Sequence, residues 1–172
     1  MTNIKQRSKD WKSGVSKTIT FIVTKDCQLA CKYCYLVGKN SKERMSFGIA
    51  KKAIDYILAH ENDMPEESVV FDFIGGEPFL EIDLIDKICD YLKIEMFRLN
   101  HHWFNSFRFS FSTNGINYHE KKIQDFIKKN RNHLSIGITI DGTEKKHDLN
   151  RIYKISSTLI PQHYYKLNFL ST

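Results

Sequence analysis

The sequence predicts an α/β fold, a partial (β/α) barrel of about four βα units with parallel strands. Two observations support this prediction. Four short runs rich in β-branched and aromatic residues alternate with helical patterns along the 172 residues, an order that implies parallel strands joined by crossover helices. The third and fourth runs also alternate between polar and apolar residues, which suits a curled sheet better than one buried between helical layers.

The four predicted strands have the composition of half-buried sheet. They are TITFIVT, SVVFDFI, FRFSFS and LSIGITI, at residues 18–24, 68–74, 107–112 and 134–140. In barrels of this kind, function lies on the loops that follow the carboxyl ends of the strands. Those loops hold the least ordinary residues of the chain, in chain order a cysteine triplet, GGEP, STNG and DGT.

The predicted helices lie between these strands. Ser46 is a suitable N-cap for the first helix, whose expected apolar face is Ile49, Ala53, Tyr56 and Ile57. The second helix carries an apolar stripe at helical spacing, formed by Ile85, Ile88, Cys89, Leu92 and Met96. The third helix is marked by Ile123, Phe126 and Ile127.

Composition narrows the class of protein. A hydrophobic fraction of 41% and the lack of any apolar run of membrane-spanning length predict a globular protein without a membrane partner. The polar opening MTNIKQRSKDW does not resemble a signal peptide, so we expect a cytoplasmic location. The net charge is +6, but no basic run is interleaved with aromatic residues, and no nucleic-acid partner is predicted.

The cysteine triplet Cys27, Cys31 and Cys34 admits three interpretations. On a helix the three thiols would share one buried face, but a loop after a strand is a poor place for such a face. Structural zinc usually takes four ligands in two separated pairs, and Cys89, the fourth cysteine, lies in an apolar stripe where we expect it to be core. Three thiolates suit a 4Fe–4S cluster whose fourth iron is open to a ligand.

The segment CQLACKYC resembles the CxxxCxxC signature of the radical S-adenosylmethionine (SAM) enzymes, with the aromatic Tyr33 before the last cysteine. Later segments extend the resemblance over residues 18–151, since GGEP and TIDGTEKKHDLNR are similar to stretches in peptide maturases of the SPASM/sulfatase-maturase type. The resemblance implies a radical SAM barrel in which Cys27, Cys31 and Cys34 bind a 4Fe–4S cluster. The free iron would chelate SAM, and an electron would cleave it to methionine and a 5′-deoxyadenosyl radical.

The same resemblance implies the SAM contacts. Tyr33 is expected near the adenine, Thr139 at the ribose, and Arg151 at the carboxylate, which suits a planar fork of donors. The SAM ammonium is expected at Gly75, Gly76, Glu77 and Pro78, where the two glycines allow close backbone approach. STNG is expected to be supporting structure, and no catalytic side chain is predicted. His101 and His102 are expected to be solvated loop residues.

The resemblance also predicts domains and partners. Residues 1–17 form an N-terminal extension, 18–151 the radical SAM core, and 152–172 an unmatched tail, so the chain is predicted to be truncated after the fourth strand. Its parent would modify a ribosomally synthesised peptide, with electrons from flavodoxin or ferredoxin. The alternatives are a radical SAM enzyme with a non-peptide substrate, or a non-catalytic iron–sulfur or zinc-binding module.

Overall fold

A computed structural model describes residues 16–36 and 41–154 of the chain. Most of the predicted N-terminal extension and of the predicted tail lies outside these residues. The main elements are β1 (Ser16–Thr24), α1 (Phe47–Ala59), β2 (Ser68–Gly75), α2 (Ile82–Arg98), β3 (Phe107–Thr113), α3 (Lys121–Asn130), β4 (Leu134–Ile138) and α4 (Glu144–Asn150). Among the described residues, no helix is both long and apolar enough to cross a membrane.

The four strands form one open parallel sheet in the order β1-β2-β3-β4. This confirms the predicted α/β class and the four βα units. Strand β4 ends two residues earlier than predicted, so Thr139 follows the strand and donates its backbone N–H to the Thr113 carbonyl at 3.1 Å. All four strands end at the same edge of the sheet, and the loops expected to carry function therefore meet there.

The two faces of the sheet differ as the alternating pattern predicts. One face is polar, and a row of paired residues crosses it through Thr20, Asp72, Ser110 and Ser135. The other face packs under the helices and is rich in buried phenylalanine, as in the stack with Phe73 between two neighbours at 5.4 and 5.1 Å. Burying each such ring contributes about 1.5–3 kcal/mol, so the aromatic face holds the sheet to its helices.

Helix α1 begins as predicted but presents a different face to the core. The Ser46 hydroxyl accepts the Ile49 N–H at 3.2 Å, which confirms the N-cap. The predicted apolar face was wrong at Ile49, Ala53 and Tyr56, which are exposed, whereas Ile57 is half-buried and packs against the core. The buried residues are Ala50, Ile54 and Leu58. The helix carries two overlapping apolar stripes, and packing against α2 and the sheet selects the one about 100° away.

Helix α2 has the face predicted from its stripe, with every member of that stripe fully buried. Cys89 lies in this core, as expected, and burial raises the pKa of its thiol well above the usual value. A neutral, buried thiol makes a poor metal ligand. In α3, Ile123 and Phe126 are buried as predicted, and Ile127 is half-buried.

Candidate functional site

The cysteine loop leaves the end of β1 and carries all three predicted ligands. Cys27 is buried, whereas Cys31 and Cys34 are partly exposed, and none of the three forms a disulfide bond. The Asp26 carboxylate accepts the Cys27 N–H at 2.9 Å, and the Cys27 sulfur accepts the Leu29 N–H at 3.3 Å. Hydrogen bonds to sulfur are one means by which proteins tune iron–sulfur clusters.

The last residue of α4 and the residues after it hold the far side of the cysteine loop. Leu29 and Tyr153 form an antiparallel bridge. Three backbone hydrogen bonds also join the two segments. The Ala30 N–H donates to the Ile152 carbonyl at 2.6 Å, the Lys32 N–H to the Asn150 carbonyl at 2.9 Å, and the Lys154 N–H to the Gln28 carbonyl at 2.8 Å. Ile152, Tyr153 and Lys154, which the sequence interpretation placed in the tail, therefore pair with the loop that carries the cysteines.

The GGEP segment holds the near side of the same loop. Gly76 donates its N–H to the Thr24 carbonyl at 2.9 Å, and Glu77 donates to the Asp26 carbonyl at 2.8 Å. A Cβ on Gly76 would lie 2.1 Å from the Asp26 oxygen, and one on Gly75 would lie 2.2 Å from the Thr24 oxygen. In the structure, the close approach that these glycines permit is thus to the chain's own backbone at the start of the cysteine loop.

Glu77 joins the ends of β2 and β3. Its buried carboxylate accepts the Thr113 hydroxyl at 2.7 Å, the Asn114 N–H at 2.8 Å and the Phe79 N–H at 3.1 Å. Burial raises the pKa of Glu77, although these three hydrogen bonds and the more distant Arg151 act in the opposite direction. Pro78, which follows it, is buried in a short 3₁₀ turn.

Asn114 contacts the first cysteine, a role that the sequence interpretation did not assign. Its side-chain nitrogen lies 3.8 Å from the Cys27 sulfur and 3.2 Å from the Gln28 side-chain oxygen. The STNG segment, expected to be supporting structure, therefore supports the cysteine loop directly. Asn-Gly alone predicts a turn, and nothing local in the sequence indicates this contact.

The loop after β4 brings Arg151 and Tyr33 together around a third residue, Asp141. The Asp141 Oδ1 atom accepts the Tyr33 hydroxyl at 2.7 Å and the Arg151 Nε–H at 2.9 Å. The Arg151 side chain is only 8% exposed, and its guanidinium carbon lies 5.6 Å from the centre of the Tyr33 ring. The hydrogen bonds from Tyr33 and Arg151 lower the pKa of Asp141. Thr139 lies exposed at the start of this loop.

A second polar cluster lies before β3, at the opposite end of the sheet. The prediction that His101 and His102 are both solvated was wrong for His101, which is 3% exposed. Glu61 and the two histidines have ligand atoms within 4.8 Å of one another. However, His101 Nδ1 accepts the Trp103 N–H at 3.2 Å, which leaves the ring proton on Nε2 and no lone pair for a metal. We therefore interpret this cluster as structural.

Comparisons with known proteins identify the family of this chain. The family model described as Radical SAM superfamily matches residues 21–159. The chain belongs to the radical SAM superfamily.

Two curated relatives are similar over most of the chain. An uncharacterized protein of Methanocaldococcus jannaschii is 38% identical over 138 residues, which are 80% of this chain and 43% of that protein. A cysteine-type anaerobic sulfatase-maturating enzyme of Clostridium novyi is 32% identical over 130 residues, 74% of this chain and 33% of that enzyme. The chain thus spans less than half the length of either relative.

Solved structures show the same fold. The structure of hexahistidine-tagged anSMEcpe with bound AdoMet superposes with a TM-score of 0.63 at 21% identity, covering 79% of this chain and 35% of that one. Native anSMEcpe with bound AdoMet and the Cp18Cys peptide gives a TM-score of 0.58 at 25% identity, covering 79% and 34%. The open four-stranded sheet therefore corresponds to part of a radical SAM barrel.

The cysteine loop of this radical SAM chain fits an iron–sulfur cluster better than a single zinc ion. Structural zinc usually takes four protein ligands, whereas this loop offers three thiols. The count of three thiols and the hydrogen bond to the Cys27 sulfur agree with a cubane that leaves one iron without a protein ligand.

Proposed function

We propose that the chain is a radical SAM core that binds a 4Fe–4S cluster and SAM and supports reductive cleavage of SAM. The observation that carries this proposal is the convergence of the cysteine loop, GGEP and the Tyr33–Asp141–Arg151 group at one edge of the sheet. When bound, the cluster would supply the electron that cleaves the sulfonium of SAM to methionine and a 5′-deoxyadenosyl radical. The cluster ligands are proposed to be Cys27, Cys31 and Cys34.

The proposed SAM contacts surround these ligands. Arg151 would pair with the carboxylate, Tyr33 would lie by the adenine, and Thr139 would contact the ribose. Support for this assignment comes from the Asp141 carboxylate, which holds Arg151 against Tyr33 of the cysteine loop. The ammonium would lie at the segment formed by Gly75, Gly76, Glu77 and Pro78. Glu77 already accepts three donors from its own chain, so its carboxylate would also keep this segment in place.

We extend the proposal to a ribosomally synthesised peptide as the substrate. Support comes from the 32% identity to a cysteine-type anaerobic sulfatase-maturating enzyme. A flavodoxin or ferredoxin would supply the electron, and the protein would be cytoplasmic, without a nucleic-acid or membrane partner. Because the chain spans about a third of that enzyme's length, we propose the peptide modification for the whole protein of which these elements form the cluster-binding part.

The cluster is tested by anaerobic reconstitution with iron and sulfide. We expect about four iron and four sulfide per chain, with the absorption of a 4Fe–4S cluster. Alanine at Cys27, Cys31 or Cys34 should abolish cluster binding. Cys89→Ala is the matched control and should retain the cluster, because Cys89 is core. Tightly bound zinc without sulfide would instead support the zinc-binding module.

SAM binding and turnover are tested on the reconstituted protein. Adding SAM should change the electron paramagnetic resonance spectrum of the reduced cluster, and dithionite with SAM should yield 5′-deoxyadenosine. Arg151→Ala should weaken SAM binding by about 1.5–3 kcal/mol, the usual value for a hydrogen bond to a charged group. A cluster whose spectrum is indifferent to SAM would favour a non-catalytic iron–sulfur module. A mass change in candidate peptides would separate peptide from non-peptide substrates.

A further inference from the structure

The Asp141 carboxylate connects two segments that are far apart in the sequence. Its Oδ1 atom accepts the hydroxyl of Tyr33, on the cysteine loop, and the Nε–H of Arg151, which follows α4. Its own backbone is also fixed, since the Asp141 N–H donates to His147 Nδ1 at 3.3 Å. The side chain and backbone of Asp141 are therefore anchored at the same time.

The bond from Arg151 uses one particular part of the guanidinium. Nε is the inner donor, so the Nη1 and Nη2 groups at the outer end of the fork remain outside this bond. The Arg151 backbone is fixed as well, because its N–H donates to the His147 carbonyl at 2.8 Å. With both ends of the side chain held, the direction of the outer donors is largely determined.

This anchoring addresses a physical difficulty of using arginine as a ligand contact. A free arginine side chain has many rotamers, and ordering it on binding consumes part of the interaction free energy. A carboxylate that fixes Nε orders the side chain before the ligand arrives and leaves the paired outer donors available.

We propose that Asp141 is a positioning residue for SAM, which holds the Arg151 fork toward the ligand carboxylate and ties it to Tyr33. This inference rests on the proposed function, because it needs a SAM carboxylate at Arg151. It predicts an effect on SAM affinity opposite to the one that charge repulsion alone would give. Removing the charge of Asp141 should weaken SAM binding, whereas repulsion between two carboxylates alone would make its removal strengthen binding.

The test compares two ligands on the cluster-loaded chain, SAM and decarboxylated SAM, by the change each causes in the spectrum of the reduced cluster. Asp141→Ala should weaken SAM binding about tenfold, within the range of coupling in a shared hydrogen-bond network. Asp141→Asn, which keeps an acceptor oxygen, should have a smaller effect. Both changes should weaken the binding of decarboxylated SAM much less, because that ligand lacks the carboxylate that Arg151 would bind. Asp148→Asn, an exposed acidic residue on α4, is the matched control and should behave like the wild type with both ligands.

A double-mutant cycle completes the test. If Asp141 acts through Arg151, Asp141→Ala should add little to the loss that Arg151→Ala causes by itself. Equal losses for both ligands would show that Asp141 merely maintains the loop, and unchanged or tighter SAM binding in both Asp141 variants would overturn the inference outright. Iron content, measured for each variant, separates lost positioning from a lost cluster. A wild-type chain that binds the cluster but neither ligand would refute the proposed function instead.

Discussion

Replacing Gly76 by alanine adds one atom, the Cβ, where the GGEP segment contacts the start of the cysteine loop. The new Cβ would lie 2.1 Å from the Asp26 oxygen, 2.5 Å from its carbonyl carbon and 2.8 Å from the Lys25 oxygen. All three are backbone atoms, so no side-chain rotation can relieve the overlap. The Asp26 oxygen would have to move by more than about 1 Å to reach an ordinary contact of about 3.5 Å.

The expected loss of stability follows from the backbone hydrogen bonds that this movement would break. The same backbone supplies the Glu77 N–H bond to Asp26 and the Gly76 N–H bond to Thr24, at 2.8 and 2.9 Å. Overpacking costs about 1–3 kcal/mol, and losing a hydrogen bond adds about 1 kcal/mol. We therefore expect Gly76→Ala to lower the free energy of unfolding by about 2–4 kcal/mol. Because Asp26 also fixes the Cys27 N–H, the variant should bind less iron as well.

The assays are urea unfolding followed by circular dichroism, and iron content after anaerobic reconstitution. Gly137→Ala in β4 is the matched control, since a Cβ there meets only the Phe111 carbonyl oxygen, at an ordinary 3.6 Å. Alanine in a strand interior is favoured over glycine by about 0.5–1 kcal/mol, so this control should be neutral or slightly stabilised. A Gly76→Ala protein as stable as the wild type, with full iron content, would refute the reasoning.

Three further predictions concern buried groups. Glu77→Gln should destabilise the fold by about 1–3 kcal/mol in urea unfolding, because an amide NH₂ replaces an oxygen that now accepts a hydrogen bond. Since burial raises the pKa of Glu77, its carboxyl group stays protonated to a higher pH in the folded state than in the unfolded state. Its contribution to stability should therefore fall as pH rises from the usual glutamate pKa through the raised one, and the Gln variant should lack this slope. Cys89→Ala should cost about 1 kcal/mol by leaving a small gap in the core, with no change in iron content.

The sequence predicted those parts of the molecule whose signals are local. The α2 stripe needs only a helical period, and Cys89 could be placed in the core from it. The positions of GGEP and the cysteines follow from parallel topology, because parallel strands bring every loop after a carboxyl end to one edge. What sequence periodicity could not decide was the face of α1, since two apolar stripes compete and only packing against other elements selects between them.

The unpredicted parts of the site depend on partners distant in the chain. Asp141 lies in a DGT turn, and no local sequence pattern indicates its role, because that role depends on the Tyr33 and Arg151 side chains. The pairing of Ile152 and Lys154 with the cysteine loop also joins segments more than a hundred residues apart. Such pairings are set by how loops meet above the sheet, and neither composition nor period encodes them.

The cysteine loop is fixed on several sides before any ligand binds, and this bears on what its three thiols can do. The glycines of GGEP hold its start, Asn114 contacts the Cys27 sulfur, and residues 150–154 pair with its far side. A loop held in this way loses little entropy when it binds a cluster. Cys31 and Cys34 remain partly exposed, so the restraint falls on the backbone and leaves two of the thiols accessible. Under the proposed function, this accessible side would receive the cluster, and Arg151 and Tyr33, which lie against each other, would adjoin it.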